Sequence, residues 1–166
     1  MPSDASKSRQ ETALKLRAED AEDMAIIAAC LQDAVVLQGD MTYLPKQRRF
    51  ALVVSRYCWE DDQPSSGARS GRGRRVRTGL HFDGVLKVDT LSLDRRDAAR
   101  ALALLTIVAE PSADAGAALL LMFAGGAIVR LTVECIDCHL ADIGPSWETP
   151  RQPRHPVDDA PQRGTS

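Results

Sequence analysis

The sequence predicts an α+β domain with a mainly antiparallel, strongly curved sheet of about eight strands, roll-like or barrel-like, and one N-terminal helix. Apolar residues recur at helical spacing early in the chain, at 21–32. The strand-like segments that follow are separated by turn residues and not by helices, which is typical of antiparallel sheets. A twisted sheet of this size tends to curl or to split into two packed layers.

Length and composition indicate one ordinary domain. The chain has 166 residues, 44% hydrophobic and 27% charged, and its formal net charge of -2 provides no global field toward nucleic acid or acidic membranes. Residues 1–12 and 149–166 are polar, lack periodicity and are predicted to be disordered. A single globular domain is expected at 13–148, with a flexible loop rich in glycine, serine and proline at 61–73.

The expected location is the cytoplasm. The N-terminal residues lack the apolar core of a signal peptide, and the longest apolar runs, such as 102–109, are far shorter than a bilayer span. No membrane contact is therefore expected. In a reducing compartment the four cysteines are expected to be thiols and not disulfides.

The first elements follow from local patterns. Residues 14–18 alternate as a short half-buried strand does. Asp20 is suited to cap the helix at 21–32, and Glu22 and Asp23 stand in its first turn, where the helix dipole favours acids.

The middle of the chain predicts strands joined by turns. Strand-like residues at 35–44 are interrupted at 38–40, and 45–48 is predicted to be a turn. The segment 49–60 is apolar on both faces, which is typical of a central strand.

Two glycine-containing dipeptides predict tight reversals. Asp83-Gly84 separates the strand patterns 74–82 and 85–93, and this arrangement is the strongest short-range signal of a hairpin. Gly125-Gly126 likewise predicts a hairpin turn. Between them, 97–109 allows a helix or a strand; its β-branched end and short apolar run favour a strand.

The longest strand-like run, 127–140, ends in the pattern Cys135-x-x-Cys138-His139. This pattern is the attachment signature of c-type haem, and it also suits zinc or a reactive thiol pair. The apolar phase shifts after Cys135, which indicates a β-bulge or a strand end that could turn both thiols to one face. A structural role is the leading interpretation, so no metal or cofactor is predicted. The residues kept as metal candidates are Cys135, Cys138, His139 and His81, and a site that includes His81 requires its strand to lie beside 127–140.

Two basic clusters are candidate sites for an anion or a partner. The larger cluster comprises Arg69, Arg72, Arg74, Arg75 and Arg77, and the smaller one comprises Lys46, Arg48 and Arg49 at a turn. The arginine cluster suits phosphate contacts, but charges on a loop and an exposed strand edge are commonly solvated and also deter edge pairing. Nucleic acid is therefore not the favoured partner.

Six short segments together resemble an alphaproteobacterial family catalogued as domain of unknown function 2948. They are LKLRAEDAED at 14–23, YLPKQRRF at 43–50, LHFDGVL at 80–86, FAGGAI at 123–128, VECI at 133–136 and LADIG at 140–144. The resemblance covers roughly 14–155. It implies a bacterial, cytosolic, single-domain protein, and it implies no activity.

The sequence contains no recognisable catalytic set, since its carboxylates are scattered and its serines lack a nucleophile-elbow context. The leading hypothesis is therefore a binding or protein-interaction module with an unknown protein partner or small ligand. The alternative is a thiol- or metal-dependent enzyme or redox protein that uses Cys135, Cys138 and His139. A third hypothesis is nucleic-acid binding through 69–77.

Overall fold

The computed structural model describes residues 13–62, 73–94, 96–112 and 116–149. These residues form ten regular elements besides two short 3₁₀ helices. The elements are β1 (Lys15–Ala18), α1 (Ala21–Cys30), β2 (Val35–Leu44), β3 (Arg49–Tyr57), β4 (Gly73–Phe82), β5 (Val85–Leu91), β6 (Ala101–Glu110), β7 (Ala117–Phe123), β8 (Ile128–Val133) and β9 (Cys138–Thr149). The segment predicted to be disordered at 1–12, most of the predicted tail and most of the predicted loop at 61–73 lie outside the described residues.

The strands form one antiparallel sheet in the order β1-β9-β4-β3-β2-β6-β7-β8-β5. The predicted antiparallel α+β class with one helix is confirmed. The strongly curved, barrel-like form of about eight strands is wrong in detail, since the described residues form nine strands and their edge strands β1 and β5 do not pair with each other to close a barrel. In the described part of the chain, no helix combines the length and apolar character needed to cross a membrane.

The single helix begins and packs as its sequence predicts. The N–H of Asp23 donates to the Asp20 carboxylate at 2.7 Å, which caps the helix. Met24, Ile27 and Ala28 are buried in the main core. The helix contacts β1 and β6 and so covers part of one face of the sheet. We call the opposite side of β4 and its neighbours the outer face.

The predicted Asp83-Gly84 hairpin is wrong. Strand β4 pairs on one side with β3 and on the other with β9, so neither of its edges is free for β5. Gly84 has a φ of +69° but Asp83 does not have a positive φ, whereas the hairpin turn needs both. The N–H of Asp83 donates instead to the carbonyl of Asp137 at 2.9 Å. The dipeptide therefore connects β4, in the interior of the sheet, to the edge strand β5.

Two other local predictions are confirmed. Gly125 and Gly126 have φ values of +86° and +92°, and they join the antiparallel strands β7 and β8. The segment that allowed a helix or a strand forms the strand β6, paired with β7 and β2.

The long run predicted at 127–140 consists of two strands with a break, and this accounts for the ninth strand. Strand β8 ends at Val133 and pairs with β7 and β5. Strand β9 begins at Cys138 and pairs with β4 and β1. The phase shift after Cys135 therefore marks a strand end. Because a new strand begins at Cys138, His139 lies on β9, which pairs with β4.

Candidate functional site

Cross-strand pairing places the two described histidines side by side. His81 of β4 is the register partner of His139 of β9, and on its other side it faces Ala51 of β3. Successive residues of a strand point to opposite faces. The neighbours Phe82 and Cys138 are buried in the core, and so the two imidazoles lie on the outer face.

The imidazoles stack and share one carboxylate. Their ring centroids are 4.7 Å apart with an interplanar angle of 15°. Asp83 Oδ2 lies 3.5 Å from His81 Nε2 and 3.8 Å from His139 Nε2. The other oxygen, Asp83 Oδ1, accepts a hydrogen bond from Arg49 Nε at 2.7 Å. Arg49 therefore holds one carboxylate oxygen while the second faces both rings.

Asp137 completes what we call the histidine–aspartate cluster: His81, Asp83, Asp137 and His139. Asp137 Oδ1 lies 2.9 Å from His139 Nε2 and 3.4 Å from Arg17 Nε. This oxygen is buried. In the described part of the chain it accepts no hydrogen bond of good geometry, and its contacts with His139 and Arg17 are ion-pair contacts. Burial lowers the pKa of His81 and outweighs the opposing effect of Asp83, while Arg49 and His139 lower it further. A lowered pKa favours a neutral imidazole with a free lone pair near pH 7.

A shallow groove of about 300 Å³ adjoins the two histidines on the outer face. Small residues form its floor: Ala51 of β3, Gly79 of β4 and Ala141 of β9. A Cβ added to Gly79 would lie 3.0 Å from Ile143 Cδ1, so the Ile143 side chain packs closely against Gly79 at this end of the groove. The lining of the groove is completed by Asp40, Thr42, Leu52, Val53, Leu80, His81, His139 and Ile143.

The two thiols of the cysteine pattern lie in different environments. Cys138 is fully buried in the core, and burial, followed by Asp137 and Asp83, raises the pKa of its thiol well above the ordinary value. Cys135 is exposed in the segment between β8 and β9, and both thiols are free. Of the four metal candidates in the sequence, the structure brings together His81 and His139 and leaves the thiols outside the cluster, whose other members are carboxylates.

The sequence pattern places Asp83 in a predicted hairpin turn, and Asp137 is one of several scattered carboxylates, so neither is predicted as a site residue. A sequence signal for them does exist. Asp83 follows His81 by two residues and Asp137 precedes His139 by two residues. Residues two apart on an extended chain point to the same side.

The structure describes three residues of the larger basic cluster, Arg74, Arg75 and Arg77, all on β4. Arg69 and Arg72 lie outside the described residues. Arg74 Nε donates to Ser146 Oγ at 3.0 Å, and Arg75 Nη1 donates to the Ser55 carbonyl at 3.0 Å. Arg77 is exposed on β4.

The smaller basic cluster is partly engaged in ion pairs. Lys46 is exposed in the 3₁₀ turn Pro45–Gln47. Arg48 pairs with Glu134, and Arg49 pairs with Asp83. These two arginines therefore tie the turn to neighbouring segments.

A buried ion pair, not predicted from the sequence, lies on the core side of the sheet. The Arg56 and Asp142 side chains are 1% and 6% exposed. The Arg56 guanidinium donates from Nε and Nη2 to the two Asp142 oxygens at 2.8 and 2.7 Å. Asp142 also accepts from Thr78 Oγ1 at 2.8 Å and from the Leu14 N–H at 2.9 Å. Glu60 accepts two further bonds from Arg56. The network joins β3, β4, β9 and the segment before β1, so its role is structural.

Comparison with known proteins identifies a family for the chain but no activity. No curated protein and no solved structure gives a significant match. The family model described as "Protein of unknown function (DUF2948)" matches residues 14–155, so the chain belongs to that family.

Proposed function

We propose that this domain is a small-ligand-binding module and that the groove on the outer face is its site. The observation that carries the proposal is the row of small residues in the middle of a sheet. Gly79 is the register partner of Val53 on one side and of Ala141 on the other. Gly79 and Ala141 have little or no side chain, and the Ile143 side chain, which packs against Gly79, borders the groove.

The chemistry of the lining indicates the class of ligand. Aliphatic carbon from Ala51, Val53, Ala141 and Ile143 forms most of the groove. Polar groups lie to the two sides, with Thr42 on β2 and the histidines on β4 and β9. A volume of about 300 Å³ is at the small end of ligand pockets. A small, largely apolar molecule with a polar group that reaches an imidazole fits this lining.

Pre-organisation supports a binding role. The floor lies on three adjacent hydrogen-bonded strands, β3, β4 and β9. Sites built on strands hold their geometry better than sites on loops. We place the module in the cytoplasm, where thiols such as those of Cys30, Cys135 and Cys138 stay reduced.

The other two hypotheses from the sequence receive less support. A thiol mechanism needs a thiolate, and the raised pKa of Cys138 keeps its thiol protonated. Phosphate contacts need available cations, and both Arg74 and Arg75 donate hydrogen bonds within the domain.

The test is a screen of small apolar and aromatic fragments against the ¹⁵N-labelled chain by NMR. We expect bound fragments to shift the amide signals of Ala51, Gly79 and Ala141. Ala141→Leu fills the groove and is expected to weaken binding by at least about tenfold. The control Ala101→Leu makes the same change at an exposed strand position outside the groove lining, and it should leave binding unchanged. Fragments that shift signals elsewhere, or that bind Ala141→Leu equally well, would contradict the proposal.

A further inference from the structure

We propose that His81, His139 and Asp83 form a binding site for a first-row divalent transition cation of the zinc class. One ligand atom from each residue can be chosen so that all three lie within 4.8 Å of one another. The site stands on this geometry and is independent of the ligand proposed for the groove.

The distances agree with the size of a coordination sphere. Zinc bonds of about 2.0–2.1 Å place two ligand atoms of a tetrahedral site about 3.3 Å apart. Asp83 Oδ2 lies 3.5 Å from His81 Nε2 and 3.8 Å from His139 Nε2. Because the rings are stacked at an interplanar angle of 15°, their in-plane lone pairs are nearly parallel, so at least one imidazole must rotate about its side-chain bonds before both Nε2 atoms face a common ion. The distances between the ligand atoms need to change by only a few tenths of an ångström.

The ligands are held in place by their surroundings. Register pairing of β4 with β9 fixes the backbones of the two histidines opposite each other. The Arg49 hydrogen bond orients the Asp83 carboxylate, and the Asp83 N–H bond to the Asp137 carbonyl joins the two ligand-bearing segments. Such outer contacts orient metal ligands and commonly change affinity by about 10–100-fold when removed.

Asp137 contacts one of the three ligand atoms directly. Its Oδ1 lies 2.9 Å from His139 Nε2, which is the ring nitrogen that faces Asp83. The ion and Asp137 use the same ring nitrogen, so this contact must open when the ion binds, and the carboxylate then lies beside the ion as a second negative charge.

The donor set selects the class of metal. Two imidazole nitrogens and one carboxylate oxygen suit zinc and its first-row neighbours, whereas magnesium and calcium prefer oxygen ligands alone. Three protein ligands leave one position of a tetrahedral ion open. Both histidines also line the groove, so a water molecule or a donor atom of a groove ligand can complete the sphere.

The competing explanation is a metal-free ion-pair cluster, in which the two aspartates only hold the two imidazoles. This alternative predicts the same contacts but no selective affinity for zinc. The exposed thiol of Cys135 and the third histidine, His155, are other zinc-binding groups on the chain, and the experiment must separate them from the cluster.

The experiment measures Zn²⁺ binding to the full chain carrying Cys135→Ser, by calorimetry and by the visible spectrum of bound Co²⁺. We expect one Zn²⁺ per chain, a tetrahedral Co²⁺ spectrum, and no comparable binding of Mg²⁺. His81→Gln, His139→Gln and Asp83→Asn should each weaken Zn²⁺ binding at least about tenfold and remove the Co²⁺ bands. The matched control His155→Gln should change the affinity less than about twofold.

Two results would overturn the site. One is the absence of saturable Zn²⁺ binding up to about 1 mM. The other is equal Zn²⁺ affinity in the parent chain and the double variant His81→Gln/His139→Gln. Thermal unfolding of each variant, measured without metal, verifies that the fold is retained. Ala141→Leu separates the two proposals, because it fills the groove but leaves all three metal ligands in place.

Discussion

Replacement of Asp142 by asparagine is expected to destabilise the domain strongly, because it leaves the buried Arg56 guanidinium without its principal counter-charge. Asp142 accepts two bonds from Arg56 and one each from Thr78 and the Leu14 N–H. An asparagine amide keeps one acceptor oxygen and puts an NH₂ donor where a second acceptor is needed.

The expected loss in the free energy of unfolding follows from the burial of the Arg56–Asp142 ion pair. Removal of one partner of a buried ion pair typically costs about 3–5 kcal/mol. Arg56 keeps Glu60, whose side chain is 50% exposed and therefore screened, so we expect a loss near the lower end, about 3 kcal/mol. A domain of this size is stable by only about 5–15 kcal/mol, so the change is large enough to measure.

The assay is urea unfolding followed by circular dichroism, with the free energy of unfolding extrapolated to zero urea. Asp89→Asn is the matched control, because that carboxylate pairs with Lys87 at 3.5 Å but is 51% exposed. Its expected cost is below about 0.5 kcal/mol. A loss below about 1 kcal/mol for Asp142→Asn, or equal losses for the two variants, would refute the assignment of a buried, stabilising charge pair.

Three further predictions concern pH, close backbone packing and thiol exposure. Burial raises the pKa values of the Asp142 and Glu60 carboxyls, but the hydrogen bonds and charge of Arg56, together with backbone N–H donors and, at Asp142, the Thr78 hydroxyl, more than offset this and lower both pKa values below their ordinary values of 3.8 and 4.5. Their contribution is therefore complete above about pH 5 and is lost as the pH falls through the lowered folded-state values, which acid unfolding of wild type against Asp142→Asn measures. Gly116→Ala should cost about 1–3 kcal/mol or more in urea unfolding, because its Cβ would lie 1.9 Å from a backbone carbonyl oxygen. Cys135 should react with a thiol reagent in the native state at the rate of an exposed thiol, as measured by the absorbance of the released chromophore.

Each of these three predictions has a control that tests its stated cause. A stability that falls equally in the two proteins as the pH is lowered would contradict the role of Asp142. Gly125→Ala introduces a Cβ with no atom within 4 Å, at a φ of +86°, so it reports the cost of backbone strain alone. Gly116→Ala must cost more than this control. Cys138 should react only on unfolding, and rapid native-state labelling of Cys138 would contradict its burial.

Local physical chemistry explains the features that were predicted correctly. The Asp20 cap, the apolar stripe of α1 and the Gly125-Gly126 turn each depend on residues a few positions apart. The β-branched end of the segment at 97–109 correctly favoured the strand β6. The antiparallel class followed because several strands came in succession without helices between them.

The Asp83-Gly84 prediction was wrong because a hairpin requires a free strand edge as well as a turn dipeptide. Both edges of β4 are occupied by β3 and β9, and β9 lies more than fifty residues further along the chain. The local preference for a hairpin was outweighed by two long ladders of backbone hydrogen bonds. For the same reason the strand predicted at 127–140 divides into β8 and β9, which have different partners.

The sequence by itself determined the helix, the antiparallel class, most strand positions and the His-x-Asp and Asp-x-His spacings that put each pair on one side of an extended segment. Only the tertiary structure decided that His81 and His139 are register partners, that Arg56 is buried against Asp142, and that Gly79 and Ala141 lie side by side beneath the groove. The physical reason is that local propensities act over a few residues. Strand order and register depend on hydrogen bonds and burial between segments far apart in the chain, and no single segment encodes them.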